Sequence, residues 1–166
     1  MPIEFDITLT AKDMYRFNMY QTYSGFHGWF SVIVSVLIFV VAGMTYGDIE
    51  ATYTILYVVF GIIFLVYPPL SLSIRSKHAL ASSEVLRNAL HYVVGENGFT
   101  VSQGDANAEL PWTQIYKMVT TKHNVLVYSN RTNAYVIPRE QLGETTYRAL
   151  AEIANSKLEK FRVKMK

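Results

Sequence analysis

Two apolar stretches decide the fold: Gly28–Gly47, GWFSVIVSVLIFVVAGMTYG, and Ala51–Ile74, ATYTILYVVFGIIFLVYPPLSLSI, separated by Asp48-Ile49-Glu50. No Lys, Arg, Asp or Glu lies between Phe17 and Gly47, and none between Ala51 and Ile74. An α-helix rises about 1.5 Å per residue, so ~20 apolar residues cross a hydrocarbon layer of ~30 Å. Both stretches reach that length. They predict a transmembrane helical hairpin with a short exposed turn, because charge-free runs this long are rare in soluble cores.

Flanking charge sets the expected orientation. Lys12 and Arg16 precede the first stretch, Arg75 and Lys77 follow the second, and the turn carries only Asp48 and Glu50. The positive-inside bias then puts both termini in the cytoplasm. Phe26, Trp29 and Phe30 fall at the inner interface, Tyr46 and Tyr53 near the outer one. The first stretch is preceded by Glu4, Asp6 and Asp13 and is followed almost at once by a second, which reads as a retained anchor and not a signal peptide.

Composition excludes several classes. Charged residues make up 17% of the 166 residues, low for a soluble domain. Mean hydropathy is +0.16. A net charge of +2 is too small to suggest nucleic acid. The lack of cysteine rules out disulfides, thiolate-bound zinc, iron–sulfur clusters and thiol catalysis.

The remaining chain reads as strands and helices. In Ile3–Leu9, apolar Ile3, Phe5, Ile7 and Leu9 alternate with polar residues, the period of a half-buried strand. A lone terminal strand needs a sheet to join, so the amino end is expected to fold back onto the carboxy-terminal domain. Thr10-Ala11-Lys12-Asp13 fits a capping box and opens a short helix to about Tyr23. Gly43-Met44-Thr45-Tyr46-Gly47 matches a small-xxx-small pattern, which suits the turn or span packing better than a homodimer. Pro68-Pro69 predicts a kink or break in the second span, with a juxtamembrane helix beyond it.

After Leu90 the period becomes alternating. Strands are expected on either side of Asn97-Gly98, a type I′ hairpin signal, then at Ala108–Trp112, Ile115–Thr121, Val125–Ser129 and Ala134–Ile137. Tyr147, Leu150, Ala151, Ala154, Leu158 and Phe161 then share one helical face. The expected fold class is an α+β membrane protein. It comprises the hairpin and a cytoplasmic antiparallel sheet or partly closed barrel, capped by a carboxy-terminal helix and joined by the amino-terminal strand. That is a pleckstrin-homology-like layout. The expected segments are 1–27 (strand and helix), 28–74 (hairpin), 75–89 (juxtamembrane helix) and 90–166 (cytoplasmic domain).

The motif Leu110-Pro111-Trp112-Thr113-Gln114-Ile115-Tyr116-Lys117, then Val125–Tyr128 and Ala134-Tyr135-Val136-Ile137-Pro138-Arg139, resembles the YcxB-like family of bacterial membrane proteins. Trp112, Ile115, Ile137, Pro138 and Arg139 occupy its Trp-x-x-Ile and Ile-Pro-basic elements, and Leu9–Asp13 is similar to its strand-to-helix opening. The resemblance implies the layout and a bacterial inner-membrane location. It implies no activity and no catalytic residues.

No catalytic constellation is present. His27, His78, His91 and His123 lack partners at metal-ligand spacing, and no phosphate loop, nucleophile elbow or zinc-protease helix occurs. No metal, no cofactor and no enzymatic activity are expected. The spans hold no ionisable residue apart from tyrosines, which argues against a transporter. Two groups rise above background. Lys157, Lys160, Arg162, Lys164 and Lys166, joined by Arg75 and Lys77, form a basic set suited to anionic lipid headgroups; the plainer reading is a solvated helix end. Trp112, Tyr116, Tyr128 and Tyr135 alternate on adjacent strands. Such aromatics are most often core, and otherwise line a partner groove. The expected function is a non-enzymatic integral membrane protein that presents a binding module to a protein or anionic-lipid partner. The alternative is an immunity protein against a membrane-active bacterial toxin.

Overall fold

The structure, a computed structural model, describes residues 2–165, the side chain of His27 excepted. The readings made above for Lys166 and for the His27 side chain lie outside the described residues. The chain forms two compact units. One gathers the residues up to Phe17 and those from Ser76 on; the other is Asn18–Arg75.

Strand β1, Ile3–Ile7, is followed by helix α1, Ala11–Tyr23. The capping box forms as the spacing requires. The Asp13 backbone N–H donates to Thr10 Oγ1 at 3.2 Å, and the Thr10 N–H and hydroxyl both donate to Asp13 Oδ2, at 3.1 and 2.5 Å. Helix α2 is Phe26–Met44 and helix α3 is Ala51–Ser82. The expected break at Pro68-Pro69 does not occur, and α3 continues through both prolines. The prolines remove two backbone donors from a helix of 32 residues, and the flanking turns carry it through. The long juxtamembrane helix ends early instead. Ser83 turns extended and caps a single turn, α4, Glu84–Arg87, accepting from the Leu86 N–H at 3.4 Å.

In the unit 18–75, the α2–α3 contact is made by small groups. Ser35 Oγ donates to the Gly61 carbonyl at 2.7 Å, and a Cβ on Gly61 would stand 2.7 Å from a Phe39 ring carbon. Ser35 and Ala42 are buried. Gly43 faces open space, so the small-xxx-small pattern does not mark the contact; Gly47, at φ 92°, serves the turn. The outer faces of both helices are apolar and exposed, from Trp29 and Phe30 through Leu65 and Leu70. Among the described residues, α3 is long and apolar enough to cross a membrane. α2 adds a second such span only when taken with α1 as one bent element. A mere 6% of the apolar window of α3 is buried, unlike the core helix of a soluble protein.

The other unit holds two four-stranded sheets. Sheet A orders β1-β2-β3-β4, with β2 at Leu90–Val94, β3 at Gly98–Gln103 and β4 at Ala106–Pro111. β1 pairs antiparallel with β2, Ile3 opposite Val94 and Ile7 opposite Leu90, so the amino end does return to this sheet. Sheet B orders β7-β6-β5-β8, with β5 at Lys117–Thr120, β6 at Asn124–Tyr128, β7 at Ala134–Pro138 and β8 at Val163–Lys164. The single meander expected from the spacing is thus split, and the sheets do not close into a barrel. The split falls at Trp112–Gln114, a 3-10 turn where a strand residue was expected. Pro111 has no N–H to extend the ladder, and the Trp112 N–H turns back to the Asn97 carbonyl at 3.1 Å.

Gly98 also differs in role. The turn is not type I′, since among the described residues no non-glycine residue has positive φ. Gly98 is needed because a Cβ there would run into the Leu110 carbonyl of the paired strand.

Helix α5, Arg139–Leu142, and helix α6, Glu144–Lys157, follow β7. Gln141 holds α5 to the chain after β1 through two 2.8 Å bonds with the Thr8 backbone. Tyr147, Leu150, Ala154 and Leu158 are buried as the helical period requires. Phe161 is not, at 73% exposed, because α6 stops at Lys157. The chain then turns, and β8 joins β5 in parallel, a strand the sequence pattern does not signal. The core of this unit includes Ile7, Tyr92, Val94, Ile115, Met118, Leu126, Ile137 and, from α6, Leu150, all nearly or fully buried. Each such side chain contributes about 1.5–3 kcal/mol.

Candidate functional site

A cleft of about 410 Å³ lies within the sheet-bearing unit. Six short segments build it: Leu9 and Met14 from the amino end, Val85 and Leu86 from α4, Tyr92 from β2, Val101 from β3, Ala106–Ala108 from β4, and Ala134–Val136 from β7. β4 and β7 are terminal strands of their sheets, so the cleft opens where the two sheets fail to join. Gln103 shapes the wall. Its Nε2 donates to the Val85 carbonyl at 2.9 Å and to the Ala89 carbonyl at 3.4 Å, tying α4 to β3. No lining residue carries a formal charge. A mostly apolar hollow of this size with a few neutral polar groups has the character of a small-molecule site.

Tyr92 is 1% exposed and stacks on Phe5, ring centroids 5.3 Å apart. Burial, with a smaller contribution from Tyr135, pushes its phenol well above the usual tyrosine range, so it stays a neutral donor and acceptor.

The four aromatic residues do not form one groove. Tyr135 alone lines the cleft. Trp112 is buried edge-on to Phe99, its Nε1 donating to the Gly95 carbonyl at 3.0 Å. Tyr128 is fully buried, with Phe17 tilted against it and Lys117 Nζ 4.4 Å above its ring. Tyr116 is exposed. The plainer expectation, core, describes Trp112 and Tyr128.

The basic residues are at the surface. Arg75 and Lys77 are exposed on α3. Lys157, Lys160 and Lys164 are exposed along the tail from α6 to β8. Arg162 is half-buried, paired with Glu159 at 3.4 Å and set 5.7 Å from the Phe161 ring. Among the described residues no group of three or more His, Asp or Glu is placed to hold a metal ion. His91 Nδ1 meets Asp6 Oδ1 at 2.8 Å across the β1–β2 pair. The His123 ring is held below the ordinary imidazole value, first by lost solvation, then by the charges of Arg16 and Lys122.

Pattern reading missed Asn124. It falls in a polar triplet expected to be a turn, yet it is 1% exposed. Its Nδ2 donates to the Asp13 carbonyl at 3.3 Å, joining α1 to sheet B, while its Oδ1 has no partner among the described residues. Asp13, 6% exposed, faces Arg16 at 3.6 Å. The cleft was missed for another reason: its walls come from segments scattered over the chain, and small residues on β4 are its only local trace.

No curated protein matches the chain, and no solved structure does. Residues 94–154, from the end of β2 through most of α6, match the family model described as YcxB-like protein.

Proposed function

We propose that this is a non-enzymatic, multi-pass protein of the bacterial inner membrane, with α2 and α3 as its spans and both termini in the cytoplasm. It presents a pleckstrin-homology-like module to a protein or anionic-lipid partner at the membrane surface. One observation carries the reading. The apolar face of α3 is almost wholly uncovered, and the same helix runs on into the sheet-bearing unit. Exposed apolar surface of that extent needs lipid or a partner to cover it.

Charge supports the orientation, with Lys12, Arg16, Arg75 and Lys77 at the outer ends of the hairpin against Asp48 and Glu50 in its turn. The module assignment rests on two antiparallel-based sheets with a helix packed across them. α6 borders β1 of sheet A, and Tyr147 Oη meets Thr120 Oγ1 of sheet B at 3.1 Å. Tethering raises the module's effective concentration at the surface, so a weak partner suffices. The exposed lysines from Lys157 to Lys164 supply about 1 kcal/mol each toward an anionic leaflet.

The test uses the full chain in inverted inner-membrane vesicles. The protein should resist alkaline carbonate extraction, and tags on both termini should be open to protease. Extraction by carbonate, or termini on opposite faces, overturns the topology. Hydrogen exchange in nanodiscs then addresses the lipid partner. Residues 157–165 should slow when phosphatidylglycerol replaces part of the phosphatidylcholine; identical exchange leaves only the protein partner.

A further inference from the structure

We propose that the cleft between the free edges of β4 and β7 binds an uncharged single-chain amphiphile, with its aliphatic chain among Leu9, Met14, Leu86 and Val101. Its neutral head is met by hydroxyl and amide groups, those of Tyr135 and Asn107 among them. Four observations converge on this occupant. The first is the lack of charge. Every lining residue is uncharged, although the same unit carries many lysines and arginines on its surface. A carboxylate or phosphate drawn into such a site would be desolvated with no counter-charge to offset the loss. A neutral head meets no such barrier.

The second is size. At about 30 Å³ per non-hydrogen atom, the share of a liquid's volume that a water takes, about 410 Å³ holds roughly a dozen such atoms. That matches one medium-length aliphatic chain and is too small for the two chains of a phospholipid. The third is the polar provision. Tyr92 is almost completely buried at the wall, its ring stacked on Phe5, so its phenol stands at a fixed place among the lining groups. Burial keeps that phenol protonated, which suits pairing with a hydroxyl or ester oxygen.

The fourth is place in the chain. Val85 and Leu86 line the cleft, and α3, the helix long and apolar enough to cross a membrane, ends at Ser82. The first lining residue of α4, Val85, thus follows by about a dozen residues the apolar stretch, ending at Ile74, that the membrane reading immerses in a reservoir of such molecules. The proposal rests on that reading for its supply of ligand. An extended peptide adding to the bare edge of β4 is the competing occupant, and it would leave the hollow itself unfilled.

The full chain, reconstituted in phosphatidylcholine nanodiscs, is exposed to a monododecanoylglycerol analogue carrying a diazirine near the chain end. It is then irradiated, digested and read by mass spectrometry. Labels are expected on the lining peptides around Leu86, Val101 and Tyr135, besides those on α2 and α3. Excess monododecanoylglycerol should remove the cleft labels, and equal dodecyl phosphate should not. Ala108→Trp, at an exposed position on β4, should cut cleft labelling about tenfold by overfilling the site and leave span labelling unchanged. Ala106→Trp is a second plug on the same exposed edge, and Thr113→Trp, exposed and outside the lining, is the neutral control.

Cleft labels that survive both plugs, or that dodecyl phosphate removes equally well, overturn the proposal. Labelled spans with an unlabelled cleft overturn it while leaving the membrane reading intact. Absence of label from both cleft and spans overturns both.

Discussion

The α2–α3 contact gives the sharpest stability prediction. Gly61→Ala places a methyl 2.7 and 2.8 Å from two ring carbons of Phe39. Carbon atoms prefer about 3.5–4.0 Å, so the ring or the helix must give by nearly 1 Å. Phe39 sits on the same helix as Ser35, one turn along. Separation of the helices by that amount stretches the Ser35 Oγ bond to the Gly61 carbonyl from 2.7 Å to beyond hydrogen-bonding range. Overpacking of this kind costs about 1–3 kcal/mol. An interhelical side-chain bond in lipid contributes about 0.6–1.7 kcal/mol. Against these stands about 1 kcal/mol of helix propensity gained by alanine over glycine. The net expectation is a loss of about 1–3 kcal/mol. Phe39→Ala in the same chain should relieve the clash, giving a coupling energy above about 1 kcal/mol in a double-mutant cycle. Gly43→Ala, with nothing within 4 Å, should be neutral or slightly stabilising. The assay is reversible unfolding in mixed micelles, titrated with dodecyl sulfate and followed by circular dichroism. A Gly61→Ala chain as stable as wild type, with no coupling to Phe39, refutes the contact.

Three further outcomes follow from the sheet-bearing unit. Asp13→Ala removes the carboxylate half of the capping box, the acceptor for both the Thr10 N–H and the Thr10 hydroxyl, while the residue-13 N–H keeps its bond to Thr10 Oγ1; it should cost about 1 kcal/mol in thermal unfolding, and Lys12→Ala, exposed, should cost nothing measurable. Trp112→Phe keeps the edge contact with Phe99 but strands the Gly95 carbonyl, a loss of about 1–3 kcal/mol if no water reaches that oxygen, read by chemical denaturation. His123 has a depressed folded-state value, so it contributes no penalty above its ordinary 6.5. Below that pH the unfolded chain takes up the proton first, and stability falls until the folded ring is protonated too. His123→Gln should flatten the acid limb of the stability curve, and parallel limbs for the two proteins would refute the assignment.

What the sequence made legible was periodic and local. The alternation at Ile3–Ile7 sufficed to require a sheet for the amino end, because a half-buried strand cannot stand alone. Thr10 and Asp13 announced their own helix start. The face of α6 followed from spacing up to Leu158. Pattern reading failed where a longer-range effect took over. The spacing put Phe161 on the α6 face, but Leu158 is extended and the chain leaves to pair with β5, a parallel partner distant in sequence. Pro111 and Trp112 sit in an alternating pattern, yet proline ends the ladder and the indole N–H seeks Gly95.

Asn124 shows why the site was harder to read than the fold. In sequence it closes the polar triplet Lys122-His123-Asn124, and its amide reads as solvent-facing. In the folded chain Leu126 and Tyr128 fill the sheet on the same side of β6, and α1 is laid over the strand's start through Asp13. The amide is therefore buried by an element more than a hundred residues earlier. Its Nδ2 is satisfied and its Oδ1 is left bare, a loss of about 1–3 kcal/mol that other contacts must offset. The cleft has the same origin. Splitting the sheets at Trp112 leaves β4 and β7 as free edges, and small residues at Ala106, Ala108 and Ala134 keep the gap from filling. A single break in hydrogen-bonding continuity, set by one proline, thus creates both the departure from a closed barrel and the hollow where a ligand fits.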